Sequence, residues 1–171
     1  SKKPSIPHVM CMKPYFLVDG MLGSLARWLR IGGYDAEYRR EADDDSLIEE
    51  AARTGRLLLT RDRALVLKAE KRGIEAILMK GEDDVEQLGE LVAALGLKLN
   101  PCCSRCPKCN GVLTRVDKDT VRDRVPEASL EAFEVFWDCG SCGSVYWRGS
   151  HWDKITSTLD EADTMSGGNS K

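Results

Sequence analysis

The stretch "RLLLTRDRALVLKAEKRG", residues 56–73, decides the fold. It begins with a short run, Leu57, Leu58, Leu59 and Thr60, of the kind that makes a strand. It continues from Ala64 with apolar residues at helical spacing and closes at Gly73. A short strand passing directly into a helix is half of a βαβ unit, which requires a parallel neighbour. Between the halves stand Arg61, Asp62 and Arg63. Asp62 is either a cap, accepting the free amides at a helix start, or a catalytic carboxylate at a strand end.

The same unit recurs on both sides. "YFLV" precedes "MLGSLARWLRIGG", "DAEY" precedes "DSLIEEAARTG", and "EAILMK" precedes "DVEQLGELVAALG". Strands alternating with helices imply an α/β fold, a parallel sheet flanked by helices. The strand runs are short and mostly apolar, as expected for strands buried on both faces. Glycines close several helical segments: Gly32 and Gly33, Gly55, Gly73 and Gly96. After "LKLNP" the chain turns to cysteine pairs and aromatic stretches, "FEVFWDC" and "SVYWRG". The expected organisation is an α/β domain over 14–100, a small metal-stabilised domain over 101–155 and a polar, disordered tail over 156–171.

The 171 residues carry a net charge of −3, so attraction to nucleic acid would rest on local basic patches. No run approaches the roughly 20 apolar residues of a membrane span, and the first residues lack the apolar core of a secretory signal. An intracellular, cytoplasmic location is expected, without a membrane partner. Six of the seven cysteines fall between Cys102 and Cys142, in CxxC clusters that in an intracellular chain favour metal over disulfides. "CPKCNG" supplies Cys106 and Cys109, and "CGSCGS" supplies Cys139 and Cys142. Four thiolates at about 2.3 Å around one ion make a closed, structural zinc site. Gly111 and Gly143 are expected to let each knuckle curl. Cys103 and Cys106 form an overlapping pair, but the proline and glycine around Cys106 and Cys109 suit a knuckle better, leaving Cys102 and Cys103 spare. His151, a lone histidine near aromatics, reads as a packed or surface residue rather than a ligand.

Ligands of parallel α/β sheets bind beyond the carboxyl ends of the strands. Acids recur there: Asp19 after "YFLV", Asp43, Asp44 and Asp45 after the second strand, and Asp62 after "LLLT". Singly, each reads as a helix cap, and for Asp45 that reading is preferred. Together they would repel one another unless a cation sat between them, and open oxygen sites suit magnesium or manganese. Thr60 offers a second possible cap beside Asp62. The helix "GMLGSLARWLRIGGY" lacks acids; Arg27 and Arg30 lie a turn apart on the side of Gly23 and Ser24, and Leu22, Leu25, Ala26 and Leu29 make its apolar stripe. The arginines are candidate phosphate contacts.

"FLVDGMLGSLARWLRIGGYDA", "DDSLIEEAARTGRLLLTRDRAL", "RCPKCNGVL", "VPEA" and "FWDCGSCGSVYWRGSH" together resemble the Mut-seven C-terminal RNase family, a PIN-like nuclease domain followed by a zinc ribbon. The resemblance runs from Phe16 to His151. It implies a metal-dependent ribonuclease fold, with Asp19, Asp44 and Asp62 as acidic ligands of magnesium or manganese and Thr60 beside the last. The family spacing to Ala51 selects Asp44, with Asp45 as substitute. PIN nucleases often gather a fourth acid, for which Glu82, Asp83 and Asp84 offer only a generic polar turn.

The leading expectation is hydrolysis of single-stranded RNA. Arg27 and Arg30 would hold phosphates, and Arg105, Arg115, Arg122, Arg124, Trp147 and Arg148 would extend the track. A rival reading is a catalytically weak or inactive module that binds RNA or a protein partner, and a third is an unrelated magnesium-dependent phosphatase. With His8 and His151 the only histidines, a histidine general base has little support.

Overall fold

The computed structural model describes residues 13–169. Its first sheet contains β1 (Phe16–Asp19), β2 (Ala36–Arg39), β3 (Leu57–Thr60) and β4 (Ala76–Leu78), all parallel, in the order β2-β1-β3-β4. Helices α1 (Gly23–Ile31), α2 (Asp44–Thr54), α3 (Arg63–Lys71) and α4 (Asp84–Leu95) follow the successive strands. The alternation read from the sequence is the observed one.

Crossover handedness distributes the helices. The chain moves one way from β1 to β2, then the other way to β3 and on to β4, so right-handed connections put α1 on one face and α2 and α3 on the opposite face. The buried residues divide accordingly. Phe16, Val18 and Leu59 pack with Leu25, Leu29, Leu88 and Leu91, whereas Leu17 and Leu58 pack with Leu47, Ile48, Ala51, Leu65 and Ala69. Alternate residues of β1 thus serve two cores, which is why its run is continuously apolar.

Beyond Leu99 a second, antiparallel sheet contains β5 (Leu113–Asp117), β6 (Val135–Cys139) and β7 (Val145–Tyr146). Short helices α5 (Lys118–Val121) and α6 (Glu127–Ala132) connect β5 to β6. Its own core is small: Val121, Val125, Leu130 and Phe136, edged by Trp147. A core of that size gives little independent stability.

The expected disordered tail is helical over 156–169, and its last two residues lie outside the described ones. Residues from 156 belong to α7 (Trp152–Asn169), which returns to the first sheet's helical layer and packs on α4. Ile155, Leu159 and Ala162 supply an apolar stripe, with Leu159 and Ala162 buried beside Leu88 and Leu91. Burial of this stripe outweighs the polarity of the other face. No helix among the described residues is long and apolar enough to cross a membrane.

Candidate active site and metal centre

The strand order reverses its direction of growth at β1 and β3, and the crevice at their carboxyl ends is where such sheets bind ligands. Asp19 ends β1 and Thr60 ends β3. The fully buried Thr60 hydroxyl donates to Asp19 Oδ2 at 2.7 Å and accepts the Asp62 amide at 3.0 Å. One hydroxyl therefore links the Asp19 carboxylate to the backbone amide of Asp62. Asp19 Oδ1 also accepts the Gly20 amide at 2.6 Å, and Gly20 must be glycine because a Cβ would fall 2.2 Å from the Arg40 carbonyl oxygen. That close approach brings the turns after β1 and β2 together.

Asp62 caps α3, its Oδ1 accepting Ala64 N at 2.9 Å and Leu65 N at 3.4 Å. Its Oδ2 makes no hydrogen bond among the described residues, so capping occupies only one oxygen. The triplet after β2 divides its tasks. Asp43, not Asp45, caps α2 by accepting the Ser46 amide at 2.8 Å. Asp45 bridges Lys68 and Arg72, each at 3.1 Å, across to α3. Asp44, in the first turn of α2, has neither ion pair nor side-chain hydrogen bond among the described residues. Asp19 thus ends β1, Asp62 follows β3 and Asp44 lies in the first turn of the helix after β2, and the three do not close into a tight cluster. Asp84 lies nearby, taking a hydrogen bond from Ser24 Oγ at 2.6 Å, while Asp83 caps α4. The long-range Ser24 contact distinguishes Asp84 from its neighbours; sequence spacing carried no such signal.

The arginines of α1 separate. Arg27 is exposed. Arg30 is 7% exposed, which corrects its reading as a phosphate contact. Its Nε donates to Ala36 O and its Nη1 to Pro107 O, both at 2.8 Å. Burial lowers its pKa against the opposing pull of Glu37, Cys106, Cys109 and Asp35, yet a guanidinium stays charged. Two further members of the expected track are committed elsewhere: Arg122 pairs with Asp119 at 2.6 Å and Arg124 with Asp138 at 2.9 Å.

Cys106, Cys109, Cys139 and Cys142 converge, their Sγ atoms all within 4.8 Å of one another. The Cys106–Cys142 separation is 3.7 Å and the Cys109–Cys139 separation 3.4 Å. A tetrahedron with metal–sulfur bonds of about 2.3 Å has edges of about 3.8 Å, so the donor set fits zinc. Burial pushes the Cys109 thiol up to about 12, whereas hydrogen bonds from Ser144 pull Cys142 down to about 6. A dication is what allows four crowded sulfurs all to be thiolates. Cys102 and Cys103 lie outside the cluster and are exposed. The two knuckles curl differently: Gly143 has φ 79°, but in the first it is Asn110 that takes positive φ, 72°. Gly111 is needed for space, since a Cβ would lie 2.9 Å from Cys139 Sγ.

The first knuckle also covers the open edge of β2. Asn110 Oδ1 accepts Ala36 N at 3.1 Å and its Nδ2 donates to Asp35 at 2.6 Å, while Arg105 N donates to Arg30 O at 2.8 Å. Burial raises the Asp35 pKa, but hydrogen bonds from Arg56 and Asn110 outweigh it and hold the carboxyl below its ordinary value. Charged and amide groups thus fasten the cysteine-bearing sheet to the parallel one.

A family model described as the Mut7-C RNAse domain matches residues 14–159. No curated protein and no solved structure matches the chain.

Proposed function

The chain belongs to the Mut7-C RNAse domain family, and on that premise we propose that it hydrolyses RNA phosphodiester bonds at the carboxyl edge of its parallel sheet. The observation that carries the reading is the Asp19–Thr60–Asp62 chain of hydrogen bonds across the β1/β3 crevice. Asp19, Asp62 and Asp44 would hold magnesium or manganese, and each has acceptor capacity left for a hard cation. A cation held there would activate a water and offset charge growing on the phosphate. Thr60 fixes the Asp19 carboxylate through Oδ2, and the Asp62 cap fixes its own. In hydrolysis a water oxygen bonds to phosphorus, the bridging ester bond breaks, and the leaving oxygen takes a proton. Zinc in the cysteine set would be structural, since thiolates fill its shell.

That the acids do not form a close ligand group favours one second reading, an RNA-binding module with little or no catalysis. A cleavage assay on single-stranded RNA with magnesium or manganese decides between them. The nuclease requires the ion and fails in Asp19→Asn. If Asp19→Asn and Asp62→Asn both cut like the parent, the acids are caps and the catalytic reading is lost.

A further inference from the structure

Between α1, the cysteine-bearing sheet and the start of α7 lies a cleft of about 730 Å³. Its wall contains Lys13, Arg27, Arg105, Arg115 and Arg148 and not one carboxylate, although the chain carries 28 acids against 25 lysines and arginines. Charge has been segregated here. Arg27 and Arg115 are exposed and have no ion-pair partner among the described residues. Aromatic rings interleave with these cations: Tyr146 and Trp147 line the cleft, and Arg148 lies over the Trp137 and Trp152 rings at 5.0 and 4.3 Å.

The cleft opens into a second hollow of about 570 Å³, with which it shares Arg27, Pro107 and Tyr146. The far end of that hollow is lined by Gly23 and Tyr38. The Tyr38 hydroxyl donates to Gly20 O at 2.7 Å, one residue beyond Asp19. A trough therefore runs along α1, about 13 Å for its nine residues, from the acid edge into the aromatic and basic cleft.

We infer that this trough seats an unpaired segment of RNA flanking the bond to be cut, with phosphates on Arg27 and Arg115 and a base against the aromatic wall. The inference rests on the ribonuclease reading for its ligand and adds a requirement for single strand on one side of the cut. Cations interleaved with rings are the chemistry that holds single-stranded nucleic acid without reading its sequence. A cavity of this volume takes on the order of one or two nucleotides and not a double helix.

The test measures binding apart from cleavage, using the zinc-loaded Asp19→Asn chain and a single-stranded oligoribonucleotide carrying 2-aminopurine. Adding Arg27→Ala with Arg115→Ala should weaken binding about tenfold or more and lower the slope of log affinity against log salt by about one to two. Blunt duplex RNA of equal length should compete at least about tenfold less well. Photocrosslinking of 4-thiouridine RNA to the chain with its cleft intact should label the segments around Arg105 and Trp147. Unchanged affinity and slope, equal competition by duplex, crosslinks confined elsewhere, or displacement by polyglutamate as readily as by RNA would each overturn the inference. Cleft-dependent binding without cleavage in the parent keeps the cleft and removes the nuclease. Metal-dependent cleavage with unchanged KM in Arg27→Ala with Arg115→Ala does the reverse.

Discussion

One substitution separates the observed cap made by Asp62 from its proposed role as a metal ligand. Asparagine is as good a cap as aspartate, so Asp62→Asn should keep melting within a few tenths of a kcal/mol of the parent while Asp62→Ala loses about 1 kcal/mol. Both should lose metal-dependent cleavage by about a hundredfold or more, because both lose the charge that would hold the cation. Cleavage that tracks stability instead, lost in the alanine and kept in the asparagine variant, would make Asp62 only a cap. Thr60 allows a sharper experiment, since it is fully buried and serves as both donor and acceptor. Thr60→Val preserves shape but strands an Asp19 oxygen and the Asp62 amide. It should cost about 1–3 kcal/mol in thermal or urea melts, and Thr60→Ser should recover most of the loss. Neither residue's partner was visible in the sequence. "LLLT" followed by an acid marks a strand end, whereas the hydrogen bond to Asp19 spans 41 residues.

At the scale of elements, α7 shows a stripe overlooked within a polar composition. Ile155, Leu159 and Ala162 have helical spacing, the signal that would have found it, but the glycine-tipped end of "TLDEADTMSGGNSK" outweighed three apolar positions. Leu159 is 2% exposed within the α4 and α1 core. Leu159→Ala should destabilise the parallel-sheet unit by about 2–5 kcal/mol, through lost transfer energy and the cavity left behind. Hydrogen exchange checks the placement: protection should fall in α4 as well as α7. Loss confined to α7 would mean that the helix is an appendage. The helix α1 teaches the complementary lesson. Its stripe of Leu22, Leu25, Ala26 and Leu29 is buried as its spacing requires, yet Arg30 beside it is buried too, because a knuckle from a distant part of the chain covers it.

Over the whole molecule, the four-cysteine cluster, which could hold a metal such as zinc, and the seam around Asp35 join the cysteine-bearing sheet to the rest. Elemental analysis should find about one zinc per chain, and chelation should loosen residues 106–151 before the parallel sheet. An ordered segment without metal would contradict this. Asp35 has a folded-state pKa held below its ordinary value, so its ionised form binds its partners better folded than unfolded. That stability is fully present above the unfolded pKa of about 3.9 and is lost as pH falls through the lower folded value. Asp35→Asn should therefore cost about 1–3 kcal/mol at neutral pH, from hydrogen bonds to Arg56 and Asn110, and flatten the acid limb of stability below about pH 4. A parallel shift of the whole curve, with no change of slope, would remove Asp35 from the seam.

The sequence by itself determined the two kinds of structure and the four cysteines that converge into a cluster able to hold a metal. Strands that are apolar throughout, helices with one apolar stripe and CxxC knuckles are local patterns, fixed by the period of the backbone and the reach of adjacent side chains. It also placed Asp19, Asp44 and Asp62 at strand ends, since strand ends follow from the same periods. Tertiary structure alone decided which residue of each local set was spent where. Asp43 caps, Asp45 binds α3 and Asp44 is left over. Arg30 is consumed by carbonyls of two units while Arg27 stays exposed. Identical charges at neighbouring positions differ only in what lies opposite them. That is set by other segments of the chain, 27 residues away for Asp45 and Arg72 and 77 for Arg30 and Pro107, whose approach no local period encodes.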